Sequence, residues 1–189
     1  MSRIVKITYF VHGTTTDNEL GIATGWNHGE LSKTGIKQSV ELKELIKGKK
    51  FDVVFCSDLK RAVDSARLAF SDSDSVPIIQ DKRLRECNYG DLNGADAKKV
   101  NSLVLECIDK PFPKGESYED VEKRIRSFLS DVLKNYSGKH IAIVAHRAPQ
   151  LALDVILKGK TWEQAIKEDW RLKKPKEWKP GWDYIAEEP

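Results

Sequence analysis

Ile7-Thr8-Tyr9-Phe10-Val11-His12-Gly13, near the start of the chain, is a short apolar run that ends on a histidine, and Ile141-Ala142-Ile143-Val144-Ala145-His146-Arg147, near the other end, repeats the device. Runs of this length, rich in β-branched residues and almost continuously apolar, read as strands of the buried parallel type. Each is followed by a segment that reads as the start of a helix. In open α/β sheets the carboxyl ends of the strands face a shared crevice, and ligands bind there. Two imidazoles delivered to one crevice from distant parts of the sequence imply chemistry on a common atom, so the chain reads as an enzyme.

Outward from these strands the alternation continues. Thr14 to Gly25 is a polar loop; Ile36, Val40, Leu42, Leu45 and Ile46 then recur at helical spacing, and Gly48 closes that helix. Phe51 to Cys56 is a compact strand, and Ser57-Asp58 offers side-chain acceptors to cap a helix over Leu59 to Phe70. A polar turn at Asp72 to Ser75 leads to the extended run Val76 to Gln80, where Pro77 favours a sheet edge or strand start. Asp81 to Gly94 is a charged, Gly- and Asn-bearing loop of the kind that carries function. Ala95 to Ile108 forms a weak helix, and Ser117 opens a longer one with Val121, Ile125, Phe128, Leu129, Val132 and Leu133 on one face. Pro149 fits the first turn of the next helix, and from Trp162 helical character fades into a basic tail. The expected fold class is α/β: a three-layer α/β/α sandwich with a mainly parallel central sheet.

The 189 residues suit one domain, 1–189, with residues 162–189 expected as a Trp/Lys-rich C-terminal arm against it. A hydrophobic fraction of 40% and a charged fraction of 32% are those of a soluble protein, and no apolar stretch approaches the roughly 20 residues of a membrane helix. The opening Met1 to Lys6 reads as the start of a strand, not a signal peptide. Cys56, Cys87 and Cys107 form an odd set without C-x-x-C spacing, which excludes a disulfide framework or zinc ribbon and fits a cytoplasmic location. A net charge of +3 is too small to argue for nucleic acid. Trp162, Trp170, Trp178 and Trp182 stand among Arg171, Lys173, Lys174, Lys176 and Lys179. Such a mixture can stack on bases; the reading favoured by the burial habits of tryptophan is an arm anchored to the domain with its lysines solvated. Neither a nucleic acid nor a membrane is expected as partner.

Taken singly, the polar residues near the strand ends have bland readings as well as functional ones. His12 alone is a hydrogen-bonded strand-end histidine, but Thr14, Thr15, Thr16 and Asn18 place short donors beside it, and backbone N–H groups in such a turn, Gly13 included, can hold an anion. Arg61, early on its helix, either lies on a solvated face or aims a planar donor at the crevice. Glu86 is one more loop carboxylate, or the proton donor that a leaving group needs.

In order along the chain, Phe10-Val11-His12-Gly13-Thr14-Thr15 with Asn18, Gly25-Trp26, Leu31-Ser32 with Gly35, Ser57-Asp58-Leu59 with Arg61-Ala62, Leu84-Arg85-Glu86 with Gly90 and Gly94, Gly115-Glu116-Ser117, and Val144-Ala145-His146 resemble the histidine phosphatase superfamily, with its phosphoglycerate-mutase-like fold. The resemblance spans residues 4 to about 157 and leaves the tail from Trp162 outside. It implies a catalytic set of His12, Glu86 and His146. His12 would attack phosphorus and become a phosphohistidine, Glu86 would protonate the departing oxygen and then activate water, and His146 would steady the phosphoryl group. Arg61, Asn18, Thr15 and Gly13 would bind phosphate. No metal and no cofactor is implied, and the partner would be a small phosphorylated substrate.

Two positions depart from the family's pattern. An arginine usually precedes the nucleophilic histidine, where this chain has Val11, and small residues usually follow the other histidine, where it has Arg147. The compensating reading is that Arg147 restores the missing charge at the phosphate; the alternative is that it pairs with a surface carboxylate. A phosphoglycerate mutase is the second enzyme reading, disfavoured because little chain lies between Glu86 and His146 to house a long insertion. A non-catalytic phosphoryl-ligand binder is the third, and the presence of Glu86 speaks against it.

Overall fold

The computed structural model describes residues 2–71, 76–173 and 181–188. The turn expected at Asp72 to Ser75, and Lys174, Pro175, Lys176, Trp178, Lys179 and Pro180 of the tail, lie outside the described residues. In chain order the elements are β1 (Ile4–Val11), α1 (Thr16–Glu19), β2 (Ile22–Ala23), α2 (Lys33–Leu45), β3 (Val53–Cys56), α3 (Lys60–Ala69), β4 (Ile78–Gln80), β5 (Ala95–Asp96), α4 (Ala97–Leu103), α5 (Tyr118–Asn135), β6 (His140–Ala145), α6 (Arg147–Lys158), α7 (Trp162–Lys167), α8 (Trp170–Lys173) and β7 (Gly181–Glu187). The main sheet runs β4-β3-β6-β1-β7, with parallel pairs except for β7, which lies antiparallel to β1. β2 and β5 form a separate antiparallel pair.

Side chains alternate across the sheet, and each set has its own helices. Phe10, Val54, Cys56, Ala142 and Val144 meet Leu42, Val63 and Phe70 of the α2/α3 side. Ile7, Tyr9, Val11, Phe55, Ile141 and Ile143 meet Val121, Ile125 and Phe128 of α5 and Leu151 of α6. Both faces being covered, β3 is buried throughout and β6 at all but its first residue, which is why they read as continuous apolar runs. The result is the expected three-layer α/β sandwich with a mostly parallel sheet.

Three local differences from the sequence reading have physical causes. Asp58 does not cap α3, whose N-cap is Leu59 without a side-chain bond; instead its carboxylate holds Arg85 with two bonds, of 2.7 and 2.6 Å. The fading tail contains α7, started by a reciprocal capping box between Thr161 and Gln164. It ends in β7, where Tyr184 and Ala186 turn inward and Ile185 outward, the period-two pattern of a strand with one solvated face. The N-terminal loop meets α2 at two glycines: a Cβ on Gly35 would lie 1.9 Å from the Thr14 carbonyl oxygen, and one on Gly13 would lie 2.3 Å from that of Gly35. Among the described residues no helix is long and apolar enough to cross a membrane.

Candidate active site

Parallel pairing of β1 with β6 sets Val11 beside Ala145, and the next residues on the two strands are His12 and His146. The His12 N–H continues the ladder by donating to the Ala145 carbonyl at 3.0 Å. The two rings lie with centroids 5.0 Å apart. Over this end of the sheet opens a cleft of about 380 Å³, whose walls include His12, Arg61, Glu86, Arg147, Trp170 and Arg171.

His12 Nδ1 donates to the Gly13 carbonyl at 2.7 Å. A carbonyl only accepts, so the neutral ring carries its proton on Nδ1 and its lone pair on Nε2. Burial, then the charges of Arg61 and Arg171, push the His12 pKa down to about 3. His146 is fully buried behind the cleft wall, its pKa well below the usual histidine range, chiefly through burial and then the charge of Arg61. Neither of its ring nitrogens has a hydrogen-bond partner among the described residues. The backbone of His146 is fixed by Tyr9, whose hydroxyl bonds both its carbonyl and its N–H.

Arg61, on the first turn of α3, is buried, and donates through Nη2 to the Gly25 carbonyl at 2.7 Å and through Nη1 to that of Asn27 at 3.1 Å. It therefore shapes the loop before α2 as well as facing the cleft. Glu86 receives three backbone N–H groups: Cys87 and Ala148 donate to Oε1 at 2.9 Å each, and Arg147 donates to Oε2 at 3.1 Å. The N-cap of α6 is His146, which makes no side-chain cap bond, so a carboxylate from a distant loop serves the positive end of that helix. The Glu86 carbonyl accepts from the Trp26 indole at 2.7 Å and from Arg124 at 3.0 Å, while Arg85 lies over the Trp26 ring, 4.7 Å from its centroid. The loop is thus held on both sides of Glu86.

Other expected phosphate ligands are placed differently. Thr15 is fully buried and off the cleft wall, where it caps α1 in a reciprocal box with Asn18; Asn18 does line the cleft. The Gly13 N–H is spent on Ser65 Oγ at 3.0 Å, so that glycine serves the close approach to Gly35. Arg147 turns along the start of α6, giving Nε to Asp169 at 2.6 Å and Nη1 to Asn101 at 2.8 Å. That carboxylate is completely buried, so neither reading of Arg147 anticipated its partner. Tyr9, Asp169 and Arg171 were not singled out as site residues; only Tyr9 carried a signal, as a polar-tipped ring in the alternation of β1.

The family model of the histidine phosphatase superfamily (branch 1) matches residues 9–175, reaching well past Trp162. The resemblance therefore includes α7 and α8, which the sequence reading had placed outside it. A phosphoglycerate mutase of Schizosaccharomyces pombe is 31% identical over 172 residues, covering 84% of this chain and 82% of that protein. The solved alpha-ribazole phosphatase of Shigella flexneri superposes with a TM-score of 0.75 at 27% identity, over 85% of this chain and 83% of that one. A mycobacterial glucosyl-3-phosphoglycerate phosphatase shares the fold, with a TM-score of 0.75 at 23% identity, over 87% and 84% of the two chains.

Proposed function

The chain belongs to the histidine phosphatase superfamily, and we propose that it hydrolyses a small phosphomonoester through a phosphohistidine on His12, with Glu86 as the proton donor. The observation that carries this reading is the state of His12. Its Nδ1 proton is committed to the Gly13 carbonyl, so Nε2 is left with its lone pair on the wall of a cleft that also holds Arg61 and Glu86.

In the first step the Nε2 lone pair bonds to phosphorus as the ester P–O bond breaks, and the departing oxygen takes a proton from Glu86. In the second, Glu86 accepts a proton from water, the resulting hydroxide oxygen bonds to phosphorus, and the N–P electron pair returns to Nε2 with release of inorganic phosphate. Oε2 of Glu86 has one backbone donor against two on Oε1, so it has a lone-pair direction to spare for this traffic. Arg61 supplies fixed positive charge to the equatorial oxygens and the Asn18 amide supplies a donor, while the neutral His146 backs His12 from behind the cleft wall. The steps call on no metal ion or cofactor. Three free, buried cysteines suit a reducing, cytoplasmic setting.

Hydrolysis is preferred to mutase chemistry because the chain between Glu86 and His146 builds little beyond α4, α5 and β6, with no extra cover to keep water from the phosphohistidine. The test is release of phosphate from p-nitrophenyl phosphate and from alkyl phosphates between acidic and neutral pH. Turnover is expected in wild type and a loss of about 10³ or more in His12→Ala. Glu86→Gln is expected to lose about 10² to 10⁴ on alkyl esters and much less on the better leaving group. Equal rates in wild type and His12→Ala would favour a phosphoryl-ligand binder, and transfer to a second hydroxyl in preference to water would favour a mutase.

A further inference from the structure

Asp169 sits fully buried between two arginines: one oxygen takes Arg147 Nε at 2.6 Å and the other takes Arg171 Nη1 at 2.9 Å. One carboxylate balances one guanidinium, so the trio by itself carries an excess positive charge on two arginines that are largely, though not wholly, withdrawn from water. Arg147 turns its Nη1 to Asn101. Arg171 does not fill its set, because Nη2 is buried and has no hydrogen-bond partner among the described residues. An N–H so placed gives up its bond to water without a replacement.

The guanidinium is nevertheless held in position. The Arg171 backbone N–H donates to Asp169 at 3.1 Å, Nη1 also lies 3.4 Å from Gln150 Oε1, and the guanidinium carbon is 5.1 Å from the Trp170 ring centroid and 5.6 Å from that of Trp182. Arg171 lines the same cleft as His12, Arg61 and Glu86, and its charge helps to keep His12 neutral. Trp170, beside it on the wall, has a buried indole nitrogen that is also without a partner. Arg61, by contrast, has two N–H groups committed to loop carbonyls.

We propose that Arg171 is a substrate-binding residue whose guanidinium donates to a non-bridging oxygen of the phosphoryl group while His12 Nε2 faces phosphorus. The proposal rests on the phosphomonoester reading of the cleft and deepens it. The anion supplies the negative charge that the trio lacks. The C-terminal arm then helps to build the anion pocket: Asp169 joins Arg171 to Arg147, and the Arg147 backbone N–H holds Glu86.

The test is calorimetric titration of inorganic phosphate and of orthovanadate into the full chain, with kcat and KM for p-nitrophenyl phosphate, for wild type, Arg171→Ala and Arg171→Lys, each checked for folding by thermal unfolding. Arg171→Ala is expected to bind both anions about ten-fold or more weakly and to lose about a hundred-fold in kcat/KM. Arg171→Lys, which keeps the charge without the planar fork, falls between. Millimolar guanidinium chloride is expected to return part of the Arg171→Ala loss, which a purely structural role would not allow. A folded Arg171→Ala that matches active wild type in affinity and turnover overturns the assignment of Arg171 alone. If Arg171→Ala does not fold, anion affinity in Arg171→Lys equal to wild type overturns it. Wild type that binds neither anion and releases no phosphate overturns the phosphomonoester reading, and Arg171 with it.

Discussion

The Tyr9 hydroxyl donates to the His146 carbonyl at 2.6 Å and accepts the His146 N–H at 2.9 Å, so one phenol on β1 satisfies both main-chain polar groups of the residue that joins β6 to α6. His146 is extended there, with φ −130° and ψ −176°. Its own side chain makes no cap bond, and the neighbouring strand fixes its backbone instead. The 5.0 Å spacing of the two imidazoles thus rests on the β1–β6 ladder and on this clamp.

Tyr9→Phe removes the clamp and leaves the buried His146 N–H unpaired, while the His146 carbonyl keeps only the 3.4 Å bond from the Gln150 N–H. A loss of about 1–3 kcal/mol is expected in urea unfolding. The kcat for p-nitrophenyl phosphate should fall about ten-fold, with a smaller change in KM, as orientation at His146 loosens. Unchanged stability would show that the hydroxyl is dispensable.

Gly35→Ala places a methyl 1.9 Å from the Thr14 carbonyl oxygen, a backbone atom that cannot swing aside. The strand-end loop carrying Gly13 and Thr14 must move, and a loss of about 1–3 kcal/mol follows. Thermal unfolding and kcat measured together should fall together; a variant as stable as wild type would contradict the close approach.

Asp58→Asn weakens the two-bonded grip on Arg85, the residue before Glu86. The bond to Arg85 holds the Asp58 carboxyl below its ordinary range, so its contribution is present above the unfolded-state value near 4 and is lost as pH falls through the lower folded value. Both groups are part-exposed, so the stability cost is about 1 kcal/mol or less. The larger effect is expected on alkyl phosphates, where the proton from Glu86 matters most, with kcat down about three- to ten-fold. Equal losses on good and poor leaving groups would argue that Asp58 does not position Glu86.

His146 stays neutral in the fold while the unfolded chain binds a proton near pH 6.5. The unfolded state therefore takes up more protons as pH falls, and stability is lost below about pH 6.5. For one such histidine the change between pH 7 and pH 5 is about 2 kcal/mol. Urea unfolding of His146→Gln should show a pH dependence shallower by that amount. With His12 neutral down to about pH 3, the acid limb of kcat/KM should not fall at the ordinary histidine pKa. An acid limb near 6.5 that disappears in no other variant would contradict the neutral His12.

The sequence made some of this site readable and hid the rest for reasons of distance. His12, Arg61 and Glu86 share one cleft because each follows or opens an element at the carboxyl end of the sheet, a position that periodicity locates. Arg147 also reaches the cleft wall, but adjacency to His146 does not reveal the partners that hold its guanidinium, Asp169 and Asn101, because both come from distant parts of the chain. Arg171 and Asp169 could not be placed, since the fold of the arm depends on partners more than a hundred residues away, such as the β1 residues that pair with β7. The alternation from Trp182 to Glu187 carries the β7 signal, but the prolines and lysines before it point to an anchored arm with solvated lysines and not to a further strand of the sheet.

The most direct test of the central claim is acid-labile labelling at His12. The full chain is mixed with a phosphomonoester substrate, quenched in alkali within the turnover time, digested and analysed by mass spectrometry. One phosphoryl group on the peptide bearing His12, stable to alkali, lost in acid and missing from His12→Ala, is the expected result. Steady release of phosphate with no label at His12, or with the label on another residue and undiminished in His12→Ala, would contradict the account.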